Sequence, residues 1–312
     1  MRLVFCGTPE FAVPSLRALV ERGHDMQLVL TQPDRPAGRK MELHAPPVKM
    51  VAQELGLRVQ QPEKIKNNEE LRAELNRIQP QAIVVVAYGR IIPVWMLELP
   101  RFGNINVHGS LLPKYRGAAP IQWAVANGET ETGITTMRLD AGLDTGDILL
   151  ERSIPVGPDT TAAELYPQLA ELGAALLLET LDGLGEGTIA PKPQDHSKAT
   201  LAPILTRDDG RMEIERRTAT EVYNRWRGFS PWPGAHAVFR GKRFLVHRMS
   251  PARGGAGPLA PGELRSAGDT LLVGAANETA LALDEVQMEG KPRLAGAVFA
   301  RDFQLRPGER LA

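Results

Sequence analysis

Cysteine is almost absent from these 312 residues. Cys6, inside an apolar stretch, is the single one, which excludes an internal disulfide framework and leaves no thiolate cluster for a metal. Aromatic residues make up 5%, and 37 basic side chains balance 37 acidic ones, so the total charge signals no polyanionic partner. No apolar run approaches the roughly 18 residues needed to span a bilayer. Met1-Arg2 leads straight into Leu3-Val4-Phe5, without the charged, apolar, then small-residue layout of a signal peptide. The cytosol is the expected compartment. Gly7-Thr8-Pro9 carries a single glycine, so the G-x-G-x-x-G dinucleotide fingerprint is missing, and no G-x-x-x-x-G-K-S/T phosphate loop occurs. Neither a nicotinamide nor ATP is expected. The six histidines show no H-E-x-x-H or comparable spacing, and no metal site is expected.

What is present reads as two domains of an ordinary globular chain, 43% hydrophobic and 24% charged. Leu3 to Cys6, the helical stripe Leu16, Leu19 and Val20, and Met26 to Leu30 form a β-α-β start. Helical spacing returns from Pro47 to Leu57 and from Glu69 to Ile78. Ala82-Ile-Val-Val-Val-Ala87 is apolar on both faces, as a central parallel strand is. A helix at Ile121 to Asn127, strands at Ile134 to Leu139 and Ile148 to Ile154, and a long helix from Ala162 to Leu181 complete an alternating α/β unit. Asp182 to Leu201 is rich in Gly, Pro, Lys and Ser and breaks this pattern. The division is therefore 1–189, a linker at 190–206, and a second unit at 207–312. After a helix near Thr218 to Trp226, short strands at Ala235 to Phe239, Phe244 to Met249, Thr270 to Val273 and Thr279 to Val286 suggest a small β-barrel. Arg207 to Arg253 holds 11 basic against 5 acidic residues, an excess suited to phosphates or to a solvated surface.

The chemistry concentrates in Gly103 to Pro120. In the strand that begins there, Ile105 and Val107 share one face while Asn106 and His108 share the other, at the carboxyl end where open α/β sheets place ligands. An amide N–H stabilises a developing oxyanion, and an imidazole exchanges protons near neutral pH. A carboxylate beside the imidazole, directly or through a water, would steady its charged form. Asp140, Asp144 and Asp147 in the glycine-containing loop before Ile148 are the candidates, and spacing alone does not separate Asp144 from Asp140. His24 reads as part of the turn after the first helix.

Asn106-x-His108-Gly-Ser-Leu-Leu-Pro113, Arg116-Gly-Ala-Ala-Pro-Ile121, Gly142-Leu-Asp144-Thr-Gly-Asp147, Thr31-Gln-Pro-Asp-Arg-Pro-Ala-Gly-Arg39 and Phe229-Ser-Pro-Trp-Pro-Gly-Ala235 together resemble the folate-dependent formyltransferases over nearly the whole chain. The resemblance implies a Rossmann-like parallel-sheet domain followed by an OB-like barrel. It implies a monomeric enzyme that passes the formyl group of 10-formyltetrahydrofolate to the α-amino group of methionine on initiator methionyl-tRNA. Asn106, His108 and Asp144 are then the catalytic set. Ser110, Leu111, Leu112, Pro113, Tyr88, Gly89, Arg90 and Ile91 are expected at the folate. Arg35, Arg39 and Lys40, in a loop at 31–49, are expected at the tRNA. Lys40-Met41-Glu42 departs from the family, whose loop commonly continues with a Gly and one or two Lys, and Met212-Glu213-Ile214 departs from its Ile-Asp-Trp. A small-amine or hydrolytic formyltransferase, or a non-catalytic RNA-binding protein, are the rival readings. A small acceptor needs neither the basic loop nor the second unit, and an RNA-binding protein does not need the Asn, His and Asp together.

Overall fold

The computed structural model describes residues 1–37, 42–252 and 257–312. One unit comprises Met1–Pro120, Glu131–Pro155 and Leu165–Pro203, the other Ile121–Thr130, Val156–Glu164 and Ile204–Ala312.

The first unit is built on β1 (Arg2–Gly7), β2 (Asp25–Leu30), β3 (Val59–Gln60), β4 (Ala82–Val86), β5 (Asn104–His108), β6 (Glu131–Arg138) and β7 (Ile148–Pro155), in the order β7-β6-β5-β4-β1-β2-β3. Strands β5, β4, β1, β2 and β3 are mutually parallel, while β6 and β7 run antiparallel at one edge. The parallel part has the doubly wound order, so the carboxyl ends of its strands form the ligand-accepting edge. All five residues of β4 are buried, as its uninterrupted apolar sequence requires. Val4 and Cys6 of β1 join Ile83 and Val85 of β4 in a core with Leu71 and Leu75, the apolar stripe of helix Glu69–Ile78. Burial pushes the Cys6 thiol far up, so it behaves as a small apolar side chain. No helix of the described residues is long and apolar enough to cross a membrane.

Two stretches differ from the sequence reading. The loop expected at 31–49 holds a hairpin, Arg35–Ala37 against Glu42–His44, and ends inside helix Pro47–Glu54. The stretch 190–206, expected as a linker, belongs to the first unit through Pro203. Lys192 and Ile148 exchange two backbone hydrogen bonds of 2.8 Å, and Leu201–Ala202 runs parallel to Arg116–Gly117. Bridges of one or two residues leave no hydrophobic period, which is why the composition there reads as a linker.

In the second unit, antiparallel strands follow the order Ala235–Phe239, Lys242–Pro251, Ala280–Met288, Thr270–Gly274, Leu264–Ala267, and Arg293–Ala295 also pairs with Ala280–Met288. The carboxyl-terminal tail occupies both edges. Leu264 N–H donates to the Glu309 carbonyl at 2.8 Å, and Val238 and Ala312 exchange hydrogen bonds of 2.7 and 2.9 Å. That closure removes the edges an open sheet would expose.

Glu309 anchors the tail. Its carboxylate accepts from Arg240 Nε and Nη2 at 2.7 and 2.8 Å and from the Arg306 N–H at 2.8 Å, which holds its pKa down at about 2. A carboxylate lowered on folding contributes stability above its ordinary pKa of about 4.3, and that contribution fades as pH falls toward the folded value. Glu309→Gln is therefore expected to flatten the fall in urea midpoint between pH 5 and pH 2.5, because the variant has no proton to bind there. Identical slopes in both proteins would show that the clasp is too solvent-screened to matter.

Candidate active site

Strand β5 sits between β4 and β6, with Asn106 opposite Val85 and Met137, and His108 opposite Thr135. On its other face Val107 packs beneath Gly173 of helix Ala162–Glu186, so the polar pair takes the opposite face. Asn106 is 9% and His108 5% exposed. The Asn106 side chain has no hydrogen-bond partner among the described residues, which leaves its N–H groups available at the strand end.

Beyond β5 the chain turns back on itself. Thr135 Oγ1 donates to the Ser110 carbonyl at 2.7 Å and accepts from Leu112 N–H at 3.0 Å. Ser110 Oγ donates to the Lys114 carbonyl at 2.6 Å. Tyr115, with φ +63°, presents its carbonyl to His108 Nε2 at 2.9 Å. A carbonyl only accepts, so Nε2 carries a hydrogen and the exchangeable position is Nδ1. Nδ1 stands 3.7 Å from Asp144 Oδ2, within direct ion-pair range and with no space for a water on the line between them.

The structure separates the acidic candidates. Asp140 accepts from Thr145 Oγ1 at 2.7 Å and from Gly142 N–H at 2.9 Å, tying its own loop together. Asp147 lends its carbonyl to Arg138 N–H at 2.9 Å. Asp144, at φ +51°, turns its carboxylate inward, where the Gly117 N–H donates to it at 2.8 Å. Gly117 has φ +124°, and a Cβ there would stand 2.6 Å from the Ala202 carbonyl oxygen, so glycine is required for that approach. His24, before β2, lies at the opposite edge of the sheet and contacts the Met1 amino group.

The folate-loop residues divide by side chain. Tyr88 is 1% exposed in the core, and burial drives its phenol pKa upward; only its main chain is at the strand end, where Thr8 and Gln32 bind its carbonyl. The Tyr88 ring thus follows the apolar strand into the core, and its main chain is what the strand end presents. Gly89 has φ +76°, Arg90 donates to the Glu63 carbonyl, and Ile91 is 90% exposed. Ser110 is fully buried and Leu112 packs with Met137 and Ile148, which leaves Leu111 and Pro113 as the partly exposed side chains. Arg35 is exposed on its hairpin strand. Arg39 and Lys40 lie outside the described residues. Lys49 pairs with Asp34 at 2.7 Å.

Gln194, within the supposed linker, was not singled out by the sequence, and no periodicity marks it. Its amide donates to the Asp144 and Gly146 carbonyls at 2.9 and 2.7 Å, and its oxygen accepts from Arg116 Nε and Nη2 at 3.2 and 2.6 Å.

A neutral donor, an imidazole with one committed nitrogen and a carboxylate gather at a parallel-strand end, and these are groups that acyl transfer can use. The formyl transferase family model matches residues 1–181, and that of the formyl transferase C-terminal domain matches 204–304. The chain is 58% identical over 311 residues to the methionyl-tRNA formyltransferases of Koribacter versatilis and Acidobacterium capsulatum, covering all of this chain and 98% and 99% of theirs. An N-formyltransferase from Helicobacter canadensis shares the fold with a TM-score of 0.69 at 17% identity, over 92% of this chain and 99% of that one. The chain belongs to the methionyl-tRNA formyltransferase family.

Proposed function

We propose that this chain transfers the formyl group of 10-formyltetrahydrofolate to the α-amino group of methionine on initiator methionyl-tRNA, acting as a monomer in the cytoplasm. The amine nitrogen bonds to the formyl carbon, whose C=O electrons move onto oxygen. The Asn106 N–H donates to that oxyanion. His108, with Nε2 held by the Tyr115 carbonyl, takes the proton lost by the amine on Nδ1 and returns it to N10 as the C–N10 bond breaks. Asp144 stabilises the intervening imidazolium. The products are formylmethionyl-tRNA and tetrahydrofolate, and the proton count balances.

The observation that carries this reading is the free Asn106 amide beside a His108 Nδ1 that stands 3.7 Å from Asp144. Donor contacts are assigned to the main chain of Tyr88 and Gly89, to Arg90 and Ile91, and to the Ser110–Pro113 loop, with Leu111 and Pro113 presenting side chains. Arg35, Arg39 and Lys40 are assigned to the tRNA. In the second unit Arg207, Arg211, Arg216 and Lys242 stay exposed, available for phosphates. The test is transfer of labelled formyl from the folate to charged initiator tRNA, compared with uncharged tRNA, free amines and water. Rapid transfer to charged initiator tRNA is expected. Transfer confined to small amines, or release of formate, would overturn the proposed acceptor.

A further inference from the structure

We propose that Gln194 is a positioning residue for this reaction, holding Asp144 against His108 through the main chain of the Asp144 loop. The inference rests on the catalytic role assigned to Asp144 above. Ala141, Gly142 and Leu143 are exposed, and the outer half of the loop is tied within itself, through Asp140 to Gly142 N–H and Thr145 Oγ1. Its inner half is clamped. A Cβ on Gly146 would fall 1.7 Å from the Arg138 carbonyl oxygen, which sets the loop directly on β6. The Gln194 amide bridges the carbonyls on either side of Thr145 at 2.9 and 2.7 Å.

Gln194 is 6% exposed and Arg116 7%, and their polar groups match. Both Gln194 N–H groups donate to the loop, and its oxygen accepts twice from Arg116. Arg116 Nη2 also donates to His196 Nδ1 at 2.9 Å. Among the described residues Arg116 forms no ion pair. Its guanidinium therefore fixes which end of the Gln194 amide faces the loop, since an oxygen turned toward the two carbonyls would leave four buried groups unsatisfied. Arg116 and Gly117 are adjacent in one short strand. That strand orients the amide through Arg116 and holds the Asp144 carboxylate through the Gly117 N–H. Gln194 itself lies between the two family-model matches, which end at 181 and resume at 204.

The substitution that separates positioning from fold maintenance is Gln194→Glu. It keeps the volume and gives the Arg116 guanidinium a carboxylate, a charge pair that offsets the oxygen now facing the loop carbonyls, but it removes both donors to the loop. With 10-formyltetrahydrofolate and methionyl initiator tRNA, kcat should fall about 10- to 100-fold while both KM values stay within about twofold. In an Asp144→Asn background the same change should lower kcat by less than about twofold more, because residues acting through one another are not additive. Full turnover in folded Gln194→Glu, or losses that multiply in the double variant, would overturn the proposal. Gln194→Met removes all four hydrogen bonds. If both Gln194 variants failed to fold, Gln194 would serve the fold rather than the reaction, and the proposal would fall. Unchanged turnover in Asp144→Asn alone would instead remove the role assigned to Asp144, a separate result.

Discussion

Asn106→Ala is expected to lower kcat by about 10²- to 10³-fold and His108→Ala by about 10²-fold or more, with donor and tRNA affinities nearly unchanged. The reason is geometric. The Asn106 side chain has no hydrogen-bond partner among the described residues, and in the proposed reaction its N–H donates to an oxyanion that forms only on the way to the transition state, so its loss should fall on kcat. His108 is anchored by the Tyr115 carbonyl at 2.9 Å, so its removal also frees a backbone acceptor. His108→Gln offers a conservative comparison. Its amide N–H keeps a donor for that carbonyl but cannot shuttle a proton, and it should be as slow as the alanine variant. Single-turnover rates with separately measured dissociation constants are the appropriate readout. Normal turnover in Asn106→Ala would require another donor at the oxyanion, and normal turnover in His108→Gln would dismiss imidazole proton transfer.

Strand β5 was readable because alternation is local. Two residues of spacing put Asn106 and His108 on one face whatever the rest of the chain does. The choice among Asp140, Asp144 and Asp147 was not readable from spacing, because it depends on a left-handed backbone at Asp144 and on the Gly117 N–H, 27 residues away. Gln194 is further removed, 50 residues from Asp144 and 78 from Arg116. Hydrogen bonds of such range leave no period in the chain. The barrel shows the same limit. Alternating strands such as Ala235–Phe239 are visible, whereas the short strand Leu264–Ala267 and helix Gly296–Asp302 are too brief for a pattern and are stabilised by what they pack against.

That last helix carries a side chain that joins three aromatic pairs in the second unit's core. Phe299 is fully buried, and its ring meets Phe244 at 5.1 Å and Phe239 at 5.6 Å, both near 65°, and stacks on Phe303 at 4.5 Å. Phe239 and Phe244 come from neighbouring antiparallel strands, so the ring joins helix and sheet. Phe299→Ala is expected to cost about 3–5 kcal/mol, since edge-to-face pairs worth about 0.5–1.5 kcal/mol each are lost along with the buried area. Phe299→Leu keeps most of the volume and should cost clearly less, which separates the cavity from the ring contacts. Urea unfolding followed by tryptophan emission, to which Trp226 packed against this core contributes, gives both values. The groups proposed for catalysis all belong to the first unit, so under folding conditions Phe299→Leu should leave formyl transfer intact. A cost below about 1 kcal/mol for Phe299→Ala would mean that helix Gly296–Asp302 relaxes onto the sheet and refills the space, and that the aromatic cluster is dispensable.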